Sequence, residues 1–161
     1  MSPRQIANLI DAHAPALLLY ARQLCAVAED VVQEAFLKLM AQRTWPTEAV
    51  PWLYRVVRNA AFDAVKKQRR REKREQVAAR SARWFVEPEI DGLDAETAEM
   101  ALKELPVDLR EIIVAHLWGG LTFEQIGAFV DIAASTAFRR YRVGIAQLRE
   151  KLGVPCPNIQ N

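Results

Sequence analysis

Arg139, Arg140 and Arg142 follow closely on a Ser135-Thr136 pair, and "VKKQRRREKRE" (residues 65–75) carries seven basic side chains in eleven positions. Guanidinium groups hold phosphate as charges and can grip a guanine edge as a planar fork. No comparable set exists for covalent chemistry. Cys25 and Cys156 match no metal-ligand spacing and are expected to be two free thiols in a reducing cytosol. His13 and His116 are isolated from other ligand types and are expected to be packed or exposed helix residues. With no phosphate loop and no nucleophile–base pair, the sequence predicts neither an enzyme nor a metal or cofactor site. Its chemistry is the recognition of a polyanion.

Charge is segregated in a way that the formal total of +2 conceals. Nine basic residues between Arg55 and Arg74 face only Asp63 and Glu72; eight acids between Phe85 and Asp108 face only Lys103. Five basic residues from Arg139 to Lys151 then face a single Glu150. Two separate basic patches are the electrostatic footprint of nucleic-acid binding. A 161-residue chain that is 51% hydrophobic and 26% charged suits one ordinary domain or two small ones, folded rather than disordered. Scarce Gly and plentiful Ala, Leu, Arg and Glu predict helices. Asp11, His13 and Pro15 interrupt the first apolar stretch, so neither a secretory signal nor membrane insertion is expected.

Helices must therefore position these side chains. Ser2-Pro3 predicts a capped start, and Pro15 predicts a break or kink before the Leu17, Leu18, Ala21 stripe. A second helix is expected over about 28–42, with Val32, Ala35, Phe36, Leu39 and Met40 inward. Asp30, Gln33, Glu34 and Leu37 lie on its other side, an acidic and amphipathic face suited to docking on a protein. A third helix is expected from about Pro51, with Leu53, Val56, Val57, Ala60 and Ala64 as its core face. Opposite them runs a stripe of Arg55, Arg58, Lys66, Arg69 and Lys73, with Phe62 inside it, expected to pack on a neighbouring segment. Beyond Val65 the apolar face ends, so the helix is expected to leave its domain or fray.

Residues 77–93, with "WFVEPEIDG", read as an acidic linker that Trp84 and Phe85 can anchor. After it, Asp94 is expected to cap a helix ending near Leu105. Pro106 introduces another that ends at Gly119-Gly120 and turns Leu109, Ile112, Ile113 and Leu117 inward. Thr122 and Gln125 have capping-box spacing, "DIAAS" is a tight connection, and Ser135 is expected to cap the last helix. On that helix Ala137, Tyr141, Gly144, Ile145 and Leu148 are the expected buried side, with Phe138 at its edge and read as core. This is a helix-turn-helix, whose second helix enters the DNA major groove. Helical phase makes Arg139 the first candidate base reader and Arg142 the second. Arg140 is better placed for phosphate, with Ser135 and Thr136 offering the helix N-terminus.

"AEDVVQEAFLKL", "WLYRVVRNAAFDAVKKQRRR" and "LPVDLREIIVAHLWGGLTFEQIGAFVDIAASTAFRRYRVGIAQLREKLG" together resemble regions 2 and 4 of a bacterial sigma factor. The resemblance is to the small two-domain type of the sigma-70 family, the extracytoplasmic-function (ECF) group. It implies an all-α protein: a region 2 domain over 1–76, the linker, a region 4 domain over 94–154 and a tail over 155–161. It further implies a dissociable RNA polymerase subunit in the cytoplasm, with core polymerase, promoter DNA and an anti-sigma factor as partners. Asp30, Gln33 and Glu34 match the polymerase-docking segment. Trp52, Arg58, Asn59 and Asp63 match the segment that meets the minus-ten element, and the last helix matches the reader of the minus-thirty-five element. Trp45, Trp52 and Tyr54 beside the basic stripe suit the holding of unpaired bases, although Trp52 is equally suited to a core.

Two features depart from the family pattern. The loop "AQRTWPTEAVP" is short and lacks an aromatic-and-arginine run, and Phe138 stands where many members carry a polar or basic residue. A helix-turn-helix regulator that acts without polymerase, or a sigma-like module that sequesters a regulator, are the alternative readings.

Overall fold

The computed structural model describes residues 2–73 and 95–154. The acidic linker with Trp84 and Phe85, the expected Asp94 cap and Cys156 lie outside them. All regular structure among the described residues is helical. The chain divides into two compact units, within Met1–Pro88 and Glu89–Asn161.

The first unit contains α1 (Pro3–Arg22), α2 (Ala28–Met40) and α3 (Ala49–Glu72). Ser2 and Gln5 form a reciprocal capping box, Gln5 N–H donating to Ser2 Oγ at 3.3 Å and Ser2 N–H to Gln5 Oε1 at 2.9 Å. α1 runs through Pro15 rather than stopping there. The proline removes one backbone donor, but Leu17, Leu18, Tyr20 and Ala21 beyond it are buried, and that packing outweighs the lost bond. α2 buries Val32, Ala35, Phe36 and Leu39 as expected and also Ala28 and Val31, whereas Met40 is exposed. Cys25 is a free, half-buried thiol whose pKa is pushed up mainly by desolvation.

The α3 core face is rotated from the one its apolar residues suggest. Leu53, Tyr54, Val57 and Ala61 are completely buried, while Val56, Ala60 and Ala64 are only half-buried, on the flank towards α2. Tyr54 fixes the phase: its ring meets Tyr20 at 4.9 Å between centroids, tilted by 60°. Burial pushes its phenol well above the ordinary value. From Lys66 to Lys73 every side chain is exposed, yet the helix continues to Glu72, so the basic stretch leaves its unit as ordered helix.

The second unit contains α4 (Ala95–Lys103), α5 (Val107–Leu117), α6 (Phe123–Val130) and α7 (Ala134–Leu152). Leu109, Ile112 and Ile113 are buried as expected, with Val114 and Ala115; Leu117, the last residue of α5, is exposed rather than inward. His116 Nδ1 lies 2.8 Å from the Leu121 carbonyl, to which it must donate. The imidazole stacks on Phe123 at 4.4 Å and meets the Tyr141 edge at 4.8 Å. No described helix is long and apolar enough to cross a membrane.

Candidate nucleic-acid interface

The α6–α7 turn is built from three backbone features. Thr122 and Gln125 satisfy each other at the α6 start, Gln125 N–H donating to Thr122 Oγ1 at 3.2 Å and Thr122 N–H to Gln125 Oε1 at 3.0 Å. Asp131 ends α6 in the left-handed region, with φ 65° and ψ 47°, a conformation Asp tolerates better than most residues. The chain then folds back so closely that a Cβ on Gly127 would sit 2.5 Å from the Ile132 carbonyl oxygen. Ile132 N–H donates to Gly127 O at 3.0 Å across the same turn. Because that turn fixes the entry to α7, Ala133 rather than Ser135 occupies the N-cap and Ser135 is exposed inside the first turn.

Ala137 and Gly144 are fully covered on α7, and Tyr141, Ile145 and Leu148 are half-buried. Gly144 has a packing role: a Cβ there would lie 2.7 Å from Ile113 Cδ1 and 3.3 Å from Leu109 Cβ, so α5 and α7 meet at its bare backbone. The outward stripe is Ser135, Phe138, Arg139, Arg142 and Val143, at i, i+3, i+4 spacing. Phe138 is therefore not core; it is 47% exposed. Arg142 stands on this stripe beside Arg139. Arg140 lies at the flank, half-buried and 3.7 Å from Asp108. Thr136 is half-buried beside it. The exposed phenyl was missed because the sequence alone made it the rim of the apolar face; the fully covered Ala137 and Gly144 define the true phase.

In the first unit α2 stands as a ridge with two unlike flanks. Asp30, Gln33, Glu34 and Leu37 are all exposed on it. Gln33 and Leu37 border an apolar groove against α1, lined by Ile10, Ala14, Leu18, Val32, Phe36 and Met40. Asp30 and Glu34 border a polar groove against α3, shared with Lys38, Asn59, Asp63 and Lys67. Lys38 Nζ is 2.7 Å from Glu34 Oε1, and that hydrogen bond holds the exposed Glu34 carboxyl below its ordinary pKa.

The seven residues expected to meet DNA in this unit differ in exposure and in what they border. Asn59 and Asp63 face the groove that Asp30 and Glu34 line. Arg55, Lys66 and Arg69 are exposed and Trp52 is half-buried. Arg58 is also half-buried, its guanidinium 4.7 Å from the Phe62 ring centroid, within cation–π range. Phe62 thus packs on its own helix and steadies a cation. Tyr54, completely buried, is withdrawn from any base.

A helical unit with a basic helical stalk, joined to a helix-turn-helix whose second helix exposes two arginines, defines a two-part DNA-binding protein. The comparisons give the particular family. The model of sigma-70 region 2 matches residues 9–71. The RNA polymerase sigma factor CarQ of Myxococcus xanthus is 36% identical over 138 residues, covering 80% of this chain and 76% of CarQ. The ECF RNA polymerase sigma factor SigE of Mycolicibacterium smegmatis is 29% identical over 133 residues, covering 78% of this chain and 51% of SigE. Among solved structures, the sigma factor RpoE in complex with the anti-sigma factor NepR from Bartonella quintana matches with a TM-score of 0.74 and 25% identity. That match covers 95% of this chain and 99% of the other. The chain belongs to the sigma-70 family of RNA polymerase sigma factors, in its ECF group.

Proposed function

We propose that this sigma factor docks on core RNA polymerase through the α2 ridge, meets the minus-ten element along α3 and reads the minus-thirty-five element with α7. The observation that carries the proposal is the closed α6–α7 turn, which presents Arg139 and Arg142 on one exposed stripe. Arg140, Ser135 and Thr136 serve phosphates beside them. In the first unit, Arg55, Arg58, Lys66 and Arg69 supply the backbone track, and Trp52 supplies the aromatic surface for an unpaired base. Asn59 and Asp63 sit where polymerase docking and DNA contact adjoin, in the groove they share with Asp30 and Glu34.

The two helical domains then lie within 1–76 and 94–154, with residues 77–93 as linker and 155–161 as tail. The bond-forming chemistry belongs to the polymerase; this chain supplies recognition and is not itself an enzyme. An anti-sigma partner is proposed by analogy with the RpoE–NepR pair, and the cytoplasm follows from the polymerase. Run-off transcription with purified core polymerase and a promoter library tests the proposal. The wild type is expected to initiate from a defined promoter set, and Asp30→Lys with Glu34→Lys to reduce those transcripts at least tenfold. Specific DNA binding without polymerase, or no specific transcripts from active core, defeats it.

A further inference from the structure

We propose that Phe138 is a specificity-determining residue, packing its ring against the C5-methyl group of one thymine in the major groove of the promoter. The inference rests on the promoter-reading role of α7 proposed above and adds a base contact of a different kind from those of the arginines.

Phe138 lies in the second turn of α7, among the N-terminal residues that a helix-turn-helix presents to base edges. An aromatic ring that is 47% exposed in the middle of a charged stripe leaves much of its apolar surface in water. The Arg142 guanidinium lies 6.0 Å from its ring centroid and Arg139 is exposed on the same stripe, so the phenyl shares its surface with two cations suited to the DNA backbone and to guanine. That charge favours a polyanionic partner over an apolar protein surface. The ring is also held in place: its face or edge meets Phe123 at 5.3 Å and 72°, and Phe123 in turn stacks on His116. A ring already ordered loses little rotamer freedom when it binds.

In the major groove only thymine presents a methyl group; the other bases offer hydrogen-bonding edges there. A phenyl can pack on the methyl and can satisfy none of those polar edges. Phe138 should therefore favour thymine at one position and penalise cytosine there, whose amino donor would be left without a partner. The resulting selectivity is that of a single methyl-sized contact, about fourfold in affinity.

The test uses full-length protein assembled with core polymerase, and duplexes carrying the minus-thirty-five sequence that the holoenzyme selects from a library. Each thymine is replaced in turn by deoxyuridine, which removes the methyl and leaves base pairing intact. Wild type should lose about fourfold in affinity at one position only. Phe138→Ala should bind the thymine duplex more weakly and show no discrimination at that position, while Phe138→Leu, which keeps an apolar tip and serves as the folding control, should retain part of it. Selective binding with no methyl-sensitive position, or with the same discrimination in Phe138→Ala, overturns the role of Phe138 alone. Failure of the wild-type holoenzyme to select any sequence overturns the promoter-reading role and this contact with it.

Discussion

Both units bury small alanines and one phenylalanine, Phe36 or Phe129, but they differ in their completely buried rings and in how closely their backbones approach. In the first, large rings occupy the interior: Tyr20 and Tyr54 are completely buried and Phe36 nearly so, among buried Leu, Val and Ala side chains. In the second, backbones approach closely at Gly127 and Gly144, small Ala115 and Ala137 are completely buried, and the rings of Phe123, Tyr141 and Phe138 are gathered towards the rim with His116. The difference matches the roles proposed for the two units. α3 carries a broad basic stripe whose attraction to phosphate would tolerate small shifts, because Coulomb forces vary slowly with distance. In its proposed role α7 brings individual atoms to individual base edges, and a turn closed on bare backbone fixes its direction. One unit should therefore fail when volume is removed, the other when it is added.

Tyr54→Ala should show the largest effect. It deletes a completely buried ring and leaves Tyr20 facing a cavity, so the first unit should lose about 3–5 kcal/mol. Urea denaturation, with hydrogen exchange of the α1–α3 amides to assign the loss, measures it. A cost below about 1 kcal/mol would mean that the aromatic pair is not what holds α3 in phase.

Gly127→Ala is the corresponding test of the second unit. The new methyl would stand 2.5 Å from the Ile132 carbonyl oxygen and 3.3 Å from the Ala134 nitrogen, both backbone atoms that cannot rotate aside. Overpacking of this kind costs about 1–3 kcal/mol and must shift the start of α7. Promoter affinity should fall further than the stability loss explains, since the arginine stripe moves with the helix. Unchanged promoter selectivity would break the link between turn closure and base reading.

Much of this architecture was legible in the sequence, and what was hidden had a common cause. Ser2 with Pro3 and Thr122 with Gln125 disclosed two helix starts because capping is local chemistry, decided within four residues. Phase was harder. On α3, Val56, Ala60 and Ala64 are as apolar as the residues that are buried; the partner ring of Tyr20, far off in sequence, decides the matter. On α7, Phe138 looked like core because nothing local distinguishes a buried ring from one resting against the edge of Phe123. Ser135 looked like a cap because its oxygen suits one, but the turn over Gly127 begins the helix earlier. Pro15 obeyed tertiary packing over its own preference. For the proposed site, the candidate docking and DNA-contacting residues could be nominated singly, whereas the groove joining Asp30 and Glu34 to Asn59 and Asp63 is a product of how α2 lies on α3.

Gly144→Ala should have a smaller effect, because two terms oppose. The methyl would lie 2.7 Å from Ile113 Cδ1, yet alanine favours the helix by about 1 kcal/mol over glycine. The net cost should be about 1 kcal/mol, near the low end for overpacking. Ile113→Val removes the obstructing δ-methyl, so the double variant should be more stable than the sum of the two single changes predicts. A double-mutant cycle reads that coupling directly. Strict additivity would show that the α5–α7 approach is not limited at this contact.

Replacing Arg69, Arg70 and Arg71 by Gln should leave stability within about 0.5 kcal/mol, since all three are exposed on the α3 extension. Each residue that contacts a phosphate contributes about 0.9 to the slope of log affinity against log salt on duplex DNA. Loss of the trio should flatten that slope by up to about 2.7 units, the sum of three such contacts, and weaken all promoters in similar proportion. Holoenzyme binding over a salt series, repeated on several promoters, separates the two outcomes. Uniform weakening would keep the division between an attracting α3 and a reading α7; a change in promoter preference would place sequence recognition on the exposed end of α3, where the side chains have no neighbouring helix to aim them.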